Sequence, residues 1–230
     1  MLDERLTLAA ALYEPCSLGA DIGTDHAYLP CHLLRTGVCQ RMIAADVSEG
    51  ALENARANLT RAGLLDRASI VLADGLDALE GHACGCVSLM GMGGKTLAEI
   101  LLRGRHRLQG ATIVLSAHTE QQLVRQAINA IGYRITREEL CRAAGRFYVF
   151  WQAKPLAGPE EAPSEEALLF GDQLWRSSHR ELRAYAAWRM RVAQNRLRGL
   201  RSAAAPDLAA IAAAEREVAF YQRKEEELPC

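Results

Sequence analysis

The sequence predicts an α/β protein: a doubly wound, mostly parallel sheet with an antiparallel terminal hairpin, followed by an antiparallel pair of long helices. Three observations predict it. Short apolar runs rich in strand formers alternate with helix-period segments over residues 1–154. Two strand-like runs then meet around Ala144-Gly145. Beyond a break at 155–166, rich in Pro and Glu, the chain is almost entirely helix-forming.

Residues 2–13 place Leu2, Leu6, Ala9 and Ala10 on one helical face. Residues 18–23, 42–46, 69–72, 86–90 and 112–115 are short apolar runs, read as buried parallel strands. Helical patterns fall at 51–62, 96–102 and 121–131, and the closing strands at 133–140 and 146–153. The linker carries Pro155, Gly158, Pro159 and Pro163 with Glu160, Glu161, Glu165 and Glu166. Residues 167–230 form the expected helical hairpin, coiled-coil-like with imperfect heptads. Leu168, Leu174, Trp175, Leu182, Tyr185, Trp188 and Val192 mark one stripe; Leu208, Ile211, Val218, Tyr221 and Leu228 mark the other, with a turn at 201–206.

Composition narrows the class. Half of the 230 residues are hydrophobic, 24% are charged and the net charge is −1, a globular balance. No run of eighteen uncharged apolar residues occurs, so no membrane span is expected. Asp3 and Glu4 stand where a signal peptide would be basic, and the seven cysteines are scattered and odd in number. A cytoplasmic protein without a disulfide framework is expected. His82, Cys84 and Cys86 are too close together for a metal site, and none is expected. Nothing in the sequence demands an obligate protein partner; a monomer is expected, with a dimer left open.

Candidate ligand residues follow from the strand ends, where open α/β sheets bind their ligands. Gly23 closes the first strand and allows close backbone approach. Asp46 ends the second, 23 positions on, at a spacing suited to ribose hydroxyls. Asp74-Gly75 follows the third. Asp25 and His26 replace the glycines that a diphosphate loop needs. A carboxylate there suits a cofactor with an amino-acid tail, whose ammonium Asp21 or Asp25 would meet directly or through water. Gly91-Met92-Gly93-Gly94 after the fourth strand leaves a slot for a flat base, with Met92 against it. His26, His118 and Tyr28 are candidate proton handlers or base contacts.

Residues 21–30, Asp-Ile-Gly-Thr-Asp-His-Ala-Tyr-Leu-Pro, closely resemble a signature of the bacterial tRNA (adenine-22-N1)-methyltransferase family, TrmK-type. Ile43-Ala44-Ala45-Asp46-Val47 with Gly50, Asp74-Gly75-Leu76, the Gly91 motif and Arg5-Leu6 resemble further motifs of that family. The resemblance runs over about residues 4–153, and the helical tail matches the family's coiled coil in kind. Asp46 replaces a usual Glu, Ala51 a Pro, and Leu115-Ser116-Ala117-His118 the usual L-Q-P-N.

The resemblance implies a Rossmann-like class I methyltransferase fold, S-adenosylmethionine as cofactor and methyl transfer to N1 of an adenine in tRNA. It implies a cofactor set of Asp21, Gly23, Thr24, Asp25, His26, Asp46, Val47, Asp74, Gly75, Gly91, Met92 and Gly93. From the residues themselves, Met92 and His118 are candidates to stand at the reacting base, and Tyr28 either stacks on that base or packs the helix it opens; the match to the family makes Arg5 a candidate phosphate contact. From 171 to 205 eight arginines face two acids, whereas 206–230 is net −3. Arg191, Arg196 and Arg198 therefore either bind phosphates or pair with the acidic helix. Two other readings stay open: a methyltransferase acting on another RNA, a protein or a small molecule, and a non-catalytic module binding S-adenosylmethionine or RNA. The missing glycines argue against a nicotinamide oxidoreductase.

Overall fold

The computed structural model describes residues 2–158, 162–176 and 180–228; residues 1, 159–161, 177–179 and 229–230, and the side chains of Trp175 and Arg176, lie outside the described residues. The chain divides into two compact units, Met1–Leu168 and Leu169–Cys230.

The first unit opens with α1 (Glu4–Ala11), begun by Asp3, whose carboxylate accepts the Leu6 amide at 2.8 Å. Then come β1 (Cys16–Ile22), α2 (Tyr28–Thr36), β2 (Cys39–Asp46), α3 (Glu49–Arg61) and β3 (Ala68–Leu72). They are followed by β4 (Cys86–Met92), α4 (Gly94–Gly104), β5 (Thr112–Ala117) and α5 (Gln121–Ala130). The antiparallel pair β6 (Tyr133–Ala143) and β7 (Arg146–Pro155) ends the sheet. Ala144 and Gly145 join them at φ 49° and 76°, the left-handed pair that matches the twist of a tight hairpin.

The sheet order is β3-β2-β1-β4-β5-β7-β6, with β1 to β5 parallel and β7 antiparallel to β5. From β1 the chain builds outward through β2 and β3, then crosses back to lay β4 and β5 on the other side. That reversal opens a crevice between the carboxyl ends of β1 and β4. The sequence reading of β3 as a buried strand is corrected here. As an edge it pairs only with β2, and Leu72 is 54% exposed.

Helix α1 folds back onto the hairpin. Arg137 Nη1 donates to the Ala11 carbonyl at 3.0 Å and Gln152 Nε2 to that of Leu12 at 2.7 Å. On the face of β7 that carries Trp151, a buried charge network ties α5 to the hairpin. Glu138 Oε1 accepts from Arg125 Nη2 at 2.6 Å, Arg125 Nε at 3.0 Å and Trp151 Nε1 at 2.6 Å.

Helix α6 (Glu165–Leu169) crosses the boundary, and α7 (Asp172–Arg176), α8 (Leu182–Arg201) and α9 (Leu208–Glu227) belong to the second unit. Its core is Leu174, Leu182, Tyr185, Ala193, Phe220 and Tyr221, with Phe170 packed on the three aromatic rings. Two stripe residues are corrected: Val192 and Leu208 are solvent-exposed, at 42% and 78%. The buried face instead takes Arg189, whose Nη2 meets Glu217 Oε1 at 3.2 Å while its guanidinium lies 5.1 Å from the Tyr221 ring. Charged residues in core positions break the apolar period, which is why the stripe was misread there. No helix among the described residues is long and apolar enough to cross a membrane.

Candidate active site

At the crevice lies a cleft of about 330 Å³. Its floor begins with Asp21, the penultimate residue of β1, which is buried. Loss of solvent pushes the Asp21 carboxyl up to about 6, and the Asp46 charge at the end of β2 adds to that; a hydrogen bond from Ser88 Oγ at 2.5 Å opposes it. Thr24 also eases the ionisation of Asp21 from nearby, while its buried Oγ1 makes no well-formed hydrogen bond.

The loop after β1 is held by backbone. The Gly23 and Thr24 amides both donate to the Ala45 carbonyl, at 2.8 and 3.0 Å. Gly23 has φ +82°, and a Cβ there would come within 3.3 Å of both the Met90 carbonyl and Met92 Cε. The turn needs the left-handed conformation, and a side chain there would also crowd its neighbours. Asn58 Nδ2 of α3 donates to the His26 carbonyl at 3.0 Å and pins the loop from outside. His26 Nε2 lies 3.3 Å from Asp25, and its ring stacks on Tyr28 with centroids 5.3 Å apart.

The opposite wall comes from α1, β5 and β7. Successive β7 side chains point to alternate faces. Tyr148 and Phe150 therefore line the cleft, on the face opposite Trp151. Arg5 lies over the Tyr148 ring at 5.1 Å and is held by Asp3 at 2.6 Å. His118 meets the same ring edge-on at 6.1 Å.

Among the sequence-predicted residues, the cleft brings together Arg5, Asp21, Gly23, Thr24, Asp25, His26, Tyr28, Gly91 and His118. Gly91, at φ +80°, makes the bulge between Met90 and Met92 and has open space where a Cβ would point. Met92 packs against Gly23 and does not line the cleft. Asp46 ends β2 and the exposed Val47 follows it, with Asp46 Oδ1 accepting the Ser48 amide at 2.8 Å. Asp74 is exposed and bridged to Arg103 at 2.9 Å. Gly75 has its own structural reason, since a Cβ there would meet Ile100 Cγ2 at 2.7 Å. Gly93 precedes α4, where its Cβ would meet Thr119 Oγ1 at 3.3 Å.

In the second unit Arg196 reaches Glu217 at 3.3 Å, Arg198 bonds Asn195, and Arg191 is exposed. Cys84 and Cys86 are buried, and desolvation first of all pushes their thiols up to about 11 and 12. Among the described residues no group of three or more His, Cys, Asp or Glu side chains could hold a metal ion.

The family model for tRNA (adenine(22)-N(1))-methyltransferase, TrmK, matches residues 19–214. The chain belongs to the TrmK family. The tRNA (adenine(22)-N(1))-methyltransferase of Bacillus subtilis (strain 168) is 28% identical over 148 residues, which is 64% of this chain and 62% of that protein. The match thus spans less than two thirds of that curated relative. The crystal structure of the B. subtilis m1A22 tRNA methyltransferase TrmK superposes with a TM-score of 0.86 at 21% identity, covering 98% of this chain and 99% of that one. The M. capricolum TrmK structure, in complex with S-adenosyl-homocysteine, covers 100% of both chains at 21% identity and a TM-score of 0.83. These structures share the fold.

Around this TrmK-family cleft the residues that sequence reasoning missed are Tyr148 and Phe150, which line it, and Ser88, Tyr13 and Asn58, which support its floor and loop from behind. Residues 147–151 are apolar or aromatic throughout, so no alternation marked which of them face a site. Gly94 was noted only as part of a motif, but it locks two junctions together. A Cβ there would meet the Thr119 and Glu120 carbonyl oxygens at 2.4 and 2.6 Å. Gly94→Ala must displace backbone, and a loss of about 1–3 kcal/mol is expected, with a lowered Tm in thermal melts.

Proposed function

We propose that this TrmK-family chain is an S-adenosylmethionine-dependent methyltransferase that methylates N1 of an adenine in tRNA. The observation that carries the reading is the cleft itself. A buried acid and a buried hydroxyl stand at the topological switch point, and an aromatic wall faces them. The residues fit the cofactor. Thr24 Oγ1 is a buried polar atom with no well-formed hydrogen bond, and Gly23 and Gly91 keep the floor free of side chains. Asp21 and Asp25 supply negative charge suited to an ammonium. Asp46 suits ribose hydroxyls, and Val47, 68% exposed, offers an apolar surface for the nucleoside. The Arg103 bridge leaves Asp74 a lesser part in holding adenine.

When bound, the cofactor supplies a methyl group on a positively charged sulfur. The chain's own residues do the rest. Adenine N1 has a free lone pair and needs little activation, so the main work is aiming it and keeping water out. N1 is engaged when the base is paired, so a paired adenine must first be turned out. Tyr28 on one side and Tyr148 on the other provide rings for it to stack on. Methylated N1 carries positive charge into the ring, which the carboxylates of Asp21 and Asp25 favour. His118 faces the same space and is a candidate partner for the exocyclic amine. On α8, exposed Arg191 and Arg198 supply charge for phosphates. We read the chain as working on tRNA in the cytoplasm.

The test is transfer of labelled methyl to unmodified tRNA, mapped by primer extension. A stop at one adenine is expected, with at least a roughly tenfold loss in Tyr148→Ala from removal of the stacking ring. Labelled tRNA with no adenine stop would overturn the target, and an Asp21→Ala variant of full activity would overturn the site.

A further inference from the structure

Behind Asp21 lies a buried run of hydroxyls that the proposed reaction does not use. Tyr13, just past α1, Ser88 in the middle of β4 and Asp21 at the end of β1 are all buried. Tyr13 Oη is 2.5 Å from Ser88 Oγ, and Ser88 Oγ is 2.5 Å from Asp21 Oδ1. The Ala20 carbonyl lies 2.9 Å from Tyr13 Oη and 3.3 Å from Ser88 Oγ. Each hydroxyl has one proton to give. With Asp21 ionised, Ser88 must donate to the carboxylate. Tyr13 must then donate to Ser88, because otherwise two lone pairs would face each other at 2.5 Å. With Asp21 protonated, the carboxyl donates to Ser88 and Ser88 turns to the Ala20 carbonyl.

We propose that Ser88, backed by Tyr13, is a positioning residue that keeps the Asp21 carboxylate charged and turned toward the cofactor. The proposal rests on the S-adenosylmethionine reading above and assigns the residue that makes its buried acid usable. A carboxylate with no donor in such a place takes up a proton. Thr24 eases the ionisation from the loop side, and none of the charged groups around Asp21 does so. Asp46 from β2 opposes the charge, and Asp25 in the β1–α2 loop is paired with His26. Arg5 of α1 is held by Asp3, and His118 at the end of β5 faces Tyr148. On the buried side Tyr13 is flanked by Cys39 and Cys86, and burial above all pushes its phenol well above the usual range, so it serves only as a neutral donor.

The test is a carboxyl-carbon NMR titration of Asp21 in the full chain, assigned by its loss in Asp21→Asn. Calorimetric titration with S-adenosylmethionine runs beside it from about pH 5.5 to about pH 9. Ser88→Ala is expected to raise the Asp21 midpoint by about one pH unit, weakening cofactor binding about fivefold near pH 6 and by less than about twofold near pH 9. Ser88→Thr restores the hydroxyl and the parent midpoint. Tyr13→Phe moves the midpoint the same way by less. An unchanged midpoint in Ser88→Ala, or an affinity lost equally at every pH, overturns the proposal. A parent chain that bound no cofactor at any pH would overturn the cofactor reading alone, since the carboxyl titration still decides the part of Ser88.

Discussion

Asp21→Asn is expected to lose S-adenosylmethionine about 30- to 100-fold at pH 7.5 and yet to unfold at a higher temperature than the parent. The affinity loss corresponds to one charge-assisted contact of about 2–3 kcal/mol. The stability gain follows from burial. The Asp21 carboxyl rises from 3.8 to about 6 in the folded chain. A raised carboxyl stabilises the fold below the unfolded value, and that contribution is lost as the pH climbs through about 6. Above that pH the ionised acid costs the free protein about 3 kcal/mol, by the size of the shift. Asparagine is neutral throughout and keeps an oxygen for Ser88, so it should recover about 1–2 kcal/mol at pH 8 and almost nothing at pH 4. Calorimetric melts of both proteins without cofactor, at these two pH values, check it. A variant less stable than the parent at pH 8 would show that Asp21 is not a strained acid.

Glu138→Gln should have the opposite character: a large loss of stability with no direct contact to the cleft. Glu138 is buried against Arg125 and takes three hydrogen bonds on one oxygen. The guanidinium stays charged whatever replaces the acid. Removing one partner of such a pair costs about 3–5 kcal/mol, because the other charge stays buried. For a chain of this length that is a fall in Tm of roughly 10 °C. The double change of Arg125→Met with Glu138→Leu, which removes both charges, should recover most of it. Thermal denaturation of the three chains decides it; a Glu138→Gln variant within about 1 kcal/mol of the parent would remove the network from any part in stability.

Much of this was legible beforehand, for physical reasons. Strands β1, β2, β4 and β5 announce themselves as apolar runs because both their faces are covered. The hairpin is marked by Gly145, which takes one of the turn's two left-handed positions freely, while Ala144 takes the other at a steric cost. The loop from Asp21 to Tyr28 was legible as a site because its acids contradict a diphosphate. What stayed hidden depends on contacts far apart in the chain. Ser88 and Tyr13 are 75 positions apart, and neither looks chemical in its local run. Asp74 was read as a nucleoside contact from its strand-end position, which could not reveal Arg103 beside it. In the tail, the apolar stripe led to Val192 and Leu208, while the buried face belonged in part to Arg189 and Glu217.

The contact made by Gly94 has a mechanical consequence. Its backbone abuts the Thr119 and Glu120 carbonyls, Lys95 N reaches Glu120 Oε2 at 3.3 Å, and the His118 amide bonds the Met92 carbonyl at 3.1 Å. The segments leaving β4 and β5 are thereby fused into one stiff anvil. Any adjustment to a bound ligand would fall to the other jaw, the Asp3–Arg5 start of α1 and the Asp25–Tyr28 segment leading into α2, where the Arg5–Asp3 and His26–Tyr28 side chains are held mostly by one another.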